Sequence, residues 1–327
     1  MGQSEIASQL TLMELAKRTH NSNIQRISEV LSTKNVILQD AVWAPANGPT
    51  SHTFTKRLTE PSGTWRQLNY GVQPEASLTK QVVEGIGMLE AYSKVDKVLV
   101  ELAENAGEFR FTEDLAFLGG LAKTFATALM YANKGLNPEQ FDGFTTRYDE
   151  TGDANVWDNG DTTASVSSSI WIVKWSVTDG AHLVYPKSHN AFGIDHEDLG
   201  KQLVEDSAGG LYEAYVSHFK VHAGLCVKDD RSIQRIASID SSITANSGEG
   251  FLNVNFLVKA LNQMLDDQCV IYCNRAIKTI LDIRAIDKSN GFYTQQPDGN
   301  IWGRPVTYFQ GIPIRLVEAL INTEEPV

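Results

Sequence analysis

SHTFTKRLTEPSGTWRQLNYGVQPEASLTKQVV, residues 51–83, reads as a stretch that folds but cannot bury itself. Phe54 and Leu58 are separated by polar residues, Pro61-Ser62-Gly63 has turn chemistry, and Trp65, Leu68 and Tyr70 alternate with Arg66, Gln67 and Asn69. The pattern predicts a long polar β-hairpin turning at 61–63 and returning through TWRQLNYG. A two-stranded hairpin with so little apolar surface is marginal alone in water, so something outside it must hold it down.

Working outward, residues 36–50 supply Val36, Ile37, Leu38, Val42 and Trp43, then the punctuated loop Ala44-Pro45-Ala46-Asn47-Gly48-Pro49. Further back, residues 11–32 carry two short helical patterns joined through Thr19, His20 and Asn21, an arm that precedes any core-forming unit. On the other side, Val95, Val98, Leu99 and Leu102 predict a helix from Ser93 onward. It leads into the longest coherent element, Asn105–Asn133. There Phe111, Leu115, Leu118, Ala122, Phe125 and Leu129 recur at steps of four and three, with Phe117, Leu121 and Ala128 widening the stripe. Thr112 with Glu113 and Asp114 reads as its cap, Lys134 and Gly135 as its end, and Gly119-Gly120 as a bend or close packing point.

Past the helix, Asp149–Ser169 is acidic and then Ser/Thr-rich, which predicts a surface loop. A β-rich half follows. Ile170–Trp175 is a strong strand expected to pair with Ala181–Tyr185 across Thr178-Asp179-Gly180; residues 188–207 read as loop; Leu211–Val221 and Gly224–Ile239 read as two long strands. Phe251–Met264 and Asn274–Ile286 are amphipathic helices flanking the strand Cys269–Tyr272, and Pro305–Phe309 with Ile312–Leu316 predicts a hairpin across Gln310-Gly311. The fold class is α+β.

Composition narrows the function. At 327 residues and 42% hydrophobic the chain can bury a large core, while a net charge of −12 argues against a surface built to hold phosphates. No apolar run approaches a membrane span, and the start, with Glu5 in it, does not read as a signal peptide, so a cytosolic context is the default. Cys226, Cys269 and Cys273 contain no CxxC and are expected to be reduced, buried thiols. There is no P-loop, dinucleotide fingerprint, GxSxG or HExxH. His218 and His222, four apart on a strand, would stand about 13 Å apart, too far to share a metal. The acidic runs Asp149–Asp161 and His189–Asp198 have metal-like composition without metal-ligand spacing and are expected to be solvated loops. No catalytic, cofactor or metal residue is assigned.

Several blocks are specific: TLMELAKR in the arm; NVILQDAVWAPANGPTSHTFTKRLTEPSGTWRQLNYGVQPEAS; QVVEGIGMLEAYSKVDK; FRFTEDLAFL; then VYPKSHNAFGIDHEDLG and YFQGIPIR. In this order they resemble the major capsid proteins of tailed bacteriophages, of the Hong Kong 97-like fold. The resemblance implies an N-terminal arm (1–50), an extended β-hairpin or E-loop (51–83), a peripheral domain (84–240) with its sheet and a spine helix within 105–133, and an axial domain with return strands (241–327). It implies a structural protein, not an enzyme, that self-assembles into pentamers and hexamers forming the icosahedral head. That head would enclose double-stranded DNA without specific binding. Implied partners are other copies, a scaffold protein, a portal and a cement or decoration protein; the location is the virion, after synthesis in the host cytoplasm, with no membrane. Some relatives crosslink through a Lys–Asn isopeptide bond; Lys56 and Lys80 lie in the loop, but nothing identifies a partner. Aromatic and Arg side chains tend to anchor interfaces, which makes Phe54, Arg57, Trp65, Arg66 and Tyr70 the subunit-interface candidates. The alternatives are another virion component, such as a tail-tube or decoration protein, and a metal-dependent enzyme using one of the acidic runs.

Overall fold

The computed structural model describes residues 19–20, 23–24, 35–103, 105–187, 194–242, 250–264, 268–286, 293–296 and 306–327. Most of the arm predicted as helical lies outside them; within it, Thr19–His20 pairs antiparallel with Asn23–Ile24, so Ile24 is extended where the pattern predicts helix. The chain divides into two units, one built from 1–35, 88–128 and 190–222, the other from 36–87, 129–189 and 223–327. No helix among the described residues is long and apolar enough to cross a membrane.

In the first unit, Ile194–Glu205 runs antiparallel to the first part of Leu211–Val227, from Ile194↔Val221 to Glu205↔Leu211, and Gly87–Asp96 pairs with the same long strand. Two expectations fail here. IDHEDLGKQLVE is a strand, not a loop: it is an exposed edge held by its backbone ladder and by ion pairs, Lys220 to Glu197 at 2.9 Å and Arg110 to Asp198 at 2.8 Å. Charges of this kind are what keeps an edge strand from pairing with strangers. GMLEAYSKVD is likewise a strand, with Ser93 and Val95 pointing inward; helix begins only at Lys97, where Asp96 accepts from the Val98 amide at 2.8 Å. Val95, Leu99, Val100 and Phe109 form a small core with Ala103 and Tyr215 against it.

The long helix spans Ala106–Tyr131, its last turn belonging to the second unit. It starts six residues before Thr112 because Asn105 caps it: the Asn105 side chain accepts from the Glu108 amide and donates to the Glu108 carboxylate, both at 3.3 Å. The Glu108 amide is one of the first-turn donors that have no partner inside a helix, so Asn105 acts as the cap. Thr112 instead donates to the Glu108 carbonyl. The buried stripe follows the predicted phase through Leu121, Phe125 and Leu129, but in the first turns Phe109 and Glu113 face inward while Phe111 and Leu115 stay exposed. At the far end Asn133, not Gly135, stops the chain, its side chain accepting from the Gly135 amide at 2.8 Å.

The second unit is built on a seven-stranded sheet in the order Tyr293–Gln296, Val306–Phe309, Ile312–Leu316, Val270–Cys273, Ser167–Val173, Ile233–Asp240, Val156–Asp158. Every residue of Ser167–Val173 is buried, so this strand begins three residues before the apolar run. Its serines look like loop residues in the sequence, yet each bond they make is internal: Ser168 donates to the Ile321 carbonyl at 2.8 Å and Ser169 to the Glu324 carboxylate. Helices Val254–Gln263 and Arg275–Ile286 close the core through Leu257, Leu261, Ile277 and Leu281, among which Cys269 and Cys273 are buried thiols. The acidic segment 149–169 is not all loop, since Val156–Asp158 pairs parallel with Arg235–Ala237.

Ala181–Tyr185 does not form a hairpin with the strand before it. It runs parallel to Trp43–Pro45 and antiparallel to Gly224–Val227, with one bridge from Trp175 to Ala181. Asp179 gathers the Lys174, Ser176 and Thr178 side chains and folds the intervening turn on itself. The two long strands expected over 211–239 are Leu211–Val227 and Ile233–Asp240, and the break between them falls at Asp230–Ser232 and not at 222–223. Gly224 interrupts nothing; a Cβ there would lie 2.4 Å from the Gly85 carbonyl oxygen, so glycine permits a close backbone approach.

Candidate subunit interface

Ser51–Thr59 pairs antiparallel with Leu78–Gly85, from Ser51↔Gly85 to Thr59↔Leu78, with a bulge between Arg57 and Thr59. The return strand is therefore LTKQVVEG and not TWRQLNYG. Prolines at 61 and 74 and glycines at 63 and 71 deprive the distal stretch of ladder donors and stiffness, whereas 78–85 has neither residue until its final glycine. The ladder ends where the Thr59 hydroxyl accepts from the Leu78 amide at 3.1 Å.

The root is fixed by polar contacts. Asn47 exchanges two hydrogen bonds with the Thr53 backbone, at 2.5 and 2.8 Å, and Ile86 donates to the Thr50 carbonyl at 3.0 Å. Arg147 grips Glu84 with both terminal nitrogens, at 2.8 and 2.6 Å, and also donates to the Leu225 carbonyl at 3.2 Å. Such a bidentate, largely buried pair is among the stronger polar contacts. Lys56 reaches Asp230 at 2.7 Å. In the tip, residues 60–77, the bonds are local: the Ser62 amide donates to the Glu75 carboxylate at 2.7 Å, and a turn from Gln67 to Tyr70 puts Asn69 at φ +68°.

Exposure follows the same division. Trp65 is 101% exposed, Leu68 86% and Tyr70 69%, and Arg66 is exposed beside them. The tip thus holds three large apolar side chains in water within six residues, the kind of exposure that makes it a candidate for an interaction surface. Of the five candidates, Trp65, Arg66 and Tyr70 share the tip; Arg57 is exposed on the first strand; Phe54 is half-buried at the root, packed on Ala46, Val184 and Cys226 with the Lys56 ammonium 5.9 Å above its ring. The candidates omit Leu58, Leu68 and Leu78, which expose as much apolar surface and lack only the aromatic or Arg signature. A second apolar surface lies on the first unit, where Val98 with Leu102, and Phe111 with Leu115, stand one helical turn apart and exposed.

Among the described residues, the segments with metal-like composition bring no three His, Cys or acidic donors close together. Asp158 accepts from the Gly160 amide and Asp161 from the Thr163 amide, as ordinary turn residues, while His189 lies outside the described residues. His196 stacks on Phe219 at 4.8 Å and stands 3.9 Å from Asp114, whose carboxyl is pushed up by burial. His218 stacks on Tyr92 at 4.0 Å and meets Glu90 at 2.9 Å. A cleft of about 560 Å³ is lined by Arg147, Tyr148, Asp153, Asn155, Asp230 and Arg231. Burial keeps the Tyr148 phenol protonated, and Arg147 there is committed to Glu84. Among the described residues, the one group of His, Cys and acidic donors close enough to hold a cation is His52, His182 and Cys226, drawn from three distant stretches with no shared motif.

A family model described as major capsid protein GP7 matches residues 19–327. Among solved structures, a chain of bacteriophage Epsilon15 is similar, with 31% identity and a TM-score of 0.71, covering 100% of this chain and 98% of that one. The bacteriophage JBD30 capsid is similar in fold, with 14% identity and a TM-score of 0.52 over 95% of this chain and 99% of that one. No curated protein matches significantly.

Proposed function

Because the chain belongs to the family of the major capsid protein GP7 of tailed bacteriophages and has their Hong Kong 97-like fold, we propose that it assembles into pentamers and hexamers. Those capsomers tile an icosahedral head around packaged double-stranded DNA. The role is structural and its place is the capsid of the virion. In this reading residues 51–83 are the loop each subunit lays across a neighbour, 1–50 the arm, 84–240 the peripheral domain and 241–327 the axial domain. The chain is made in the host cytoplasm and meets a scaffold, a portal and a cement or decoration protein during head formation.

The observation that carries this is the hairpin: a root tied by Glu84–Arg147, Asn47–Thr53 and Lys56–Asp230, and a tip that holds Trp65, Leu68 and Tyr70 in water. A neighbour that covers the tip gains apolar burial at little cost to its own fold. Contacts repeated head-to-tail around a rotation axis close into rings, and small changes of tilt let the same contacts serve five- and six-membered rings. Trp65, Arg66, Tyr70 and Arg57 are the side chains assigned to that contact, with Phe54 positioning the loop from its root. The net charge of −12 suits a wall against which DNA slides without adhering.

The test is negative-stain electron microscopy with light scattering on the purified chain, with and without a scaffold, beside a version in which 60–77 is replaced by a short turn. Shells or rings from the intact chain, lost on replacement while the fold persists, are expected. An intact chain that stays monomeric with scaffold present refutes the reading.

A further inference from the structure

The root of the hairpin holds a cluster to which the proposed subunit contact assigns no role. His52 sits on the first strand, opposite Glu84; His182 and Cys226 are direct partners across the pair Ala181–Tyr185 and Gly224–Val227. One ring nitrogen from each histidine and the Cys226 sulfur all lie within 4.8 Å of one another. His182 is 1% exposed and Cys226 is fully buried. The Nδ1 atoms of both histidines are buried and have no hydrogen-bond partner. Leaving a buried polar atom unpaired costs on the order of 1–3 kcal/mol, so two at one spot call for a ligand. We propose that His52, His182 and Cys226 form a binding site for a thiophilic divalent cation, with zinc as the ion that fits.

Two imidazoles and a thiolate are a zinc donor set, with water in the fourth position. Both histidines offer lone pairs at neutral pH: burial, with Lys228 nearby, pushes His52 down and His182 down to about 4. The Cys226 thiol is pushed up to about 12 by burial, so the zinc–sulfur bond forms as the S–H proton leaves to solvent, one proton per ion bound. Tetrahedral zinc at about 2.0–2.3 Å from its ligands requires donors roughly 3.5 Å apart, so the empty site must close by about 1 Å. His52, on a half-exposed strand, is the member free to do so. A bound ion would bolt the hairpin root to the two strands holding His182 and Cys226.

The full chain, tag removed and metal stripped, is titrated with zinc by calorimetry in two buffers of different ionisation enthalpy, and in parallel with cobalt(II) by absorption. One equivalent per chain, release of one proton and a thiolate-to-cobalt charge-transfer band are expected. Cys226→Ala should abolish the band, and His52→Gln should weaken zinc at least about 100-fold. Circular dichroism of the metal-free variants keeps loss of binding separate from loss of fold, and His52→Gln, at a half-exposed position, serves if Cys226→Ala misfolds. Cobalt binding without the sulfur band, or zinc affinity unchanged in His52→Gln, overturns the proposal and leaves surface histidines as the binders.

Discussion

Glu324 makes a sharp test of how the second unit is held. Its carboxylate accepts from the Tyr131 hydroxyl at 2.5 Å, from Ser169 and from Arg235 at 3.2 Å, and both charged side chains of that ion pair are at most 4% exposed. Arg235 also donates to Ser169 and to the Tyr148 carbonyl and lies 5.3 Å over the Trp171 ring. Glu324→Ala strips the counter-charge from a buried guanidinium, a loss of about 3–5 kcal/mol that already includes most of the two hydroxyl bonds. That is about a fifth or more of the stability of an ordinary domain. Urea unfolding of the unassembled chain, followed by tryptophan fluorescence, should show the midpoint falling by about 1 M or more. Glu325→Ala, next door and exposed, should move it by no more than about 0.5 kcal/mol. Because removing both charges relieves what removing one creates, Arg235→Met with Glu324→Leu should cost less than the two single changes added. A loss below about 1 kcal/mol for Glu324→Ala, or one equal to that of Glu325→Ala, would refute the reasoning.

Trp65→Ala should leave the chain's melting temperature unchanged, since the ring is fully exposed, yet raise the protein concentration at which light scattering reports assembly. Burying one indole is worth up to about 5 kcal/mol, and a loss of about 2 kcal/mol per contact already shifts that threshold roughly 30-fold. An unchanged threshold removes Trp65 from the contact. Gly120→Ala should stabilise the unassembled chain by about 1 kcal/mol in denaturant, because a Cβ there meets nothing and the helix loses a flexible residue. Asp114→Asn should raise stability at neutral pH. Burial holds the folded Asp114 carboxyl above its ordinary 3.8, so the folded state pays for the charge at high pH; the gain should shrink as pH falls through the folded value and vanish below the ordinary one. Melting curves from pH 3 to pH 8 check the sign.

What could be read in the sequence is what apolar periodicity controls. Ile170–Val173 announces a central strand; Leu257 with Leu261 and Ile277 with Leu281 announce two helices; Gln310-Gly311, at φ +51° and +84°, is a two-residue turn announced by its glycine. The elements misread are those held by something else. The strand Ile194–Glu205 stands on its ladder and on Arg110 and Lys220, and the start of Ser167–Val173 on the C-terminal residues Ile321 and Glu324, none of which local sequence reveals. The same holds for the sites. Trp65, Arg66 and Tyr70 stand out as candidates in the sequence because aromatic and Arg side chains in a polar loop are anomalous wherever it sits. His52, His182 and Cys226 are anomalous only once pairing sets them side by side.

The hairpin's two halves differ in the kind of energy that fixes them, and this bears on how, in the proposed assembly, one sequence would serve rings of different size. At the root, the largely buried bidentate Glu84–Arg147 pair and the exposed Asn47–Thr53 exchange are short and directional, so they fix where the loop leaves the body. At the tip, apolar contact is nondirectional and tolerates a change of angle. A loop aimed by hydrogen bonds and attached by hydrophobic surface keeps its target while the tilt between subunits varies. The reverse arrangement, a loose root and a hydrogen-bonded tip, would lose its bonds with each change of tilt. Substitutions should therefore separate by position: Glu84→Gln should lower chain stability and assembly together, because it releases the loop's aim, while changes at Leu68 or Tyr70 should lower assembly alone.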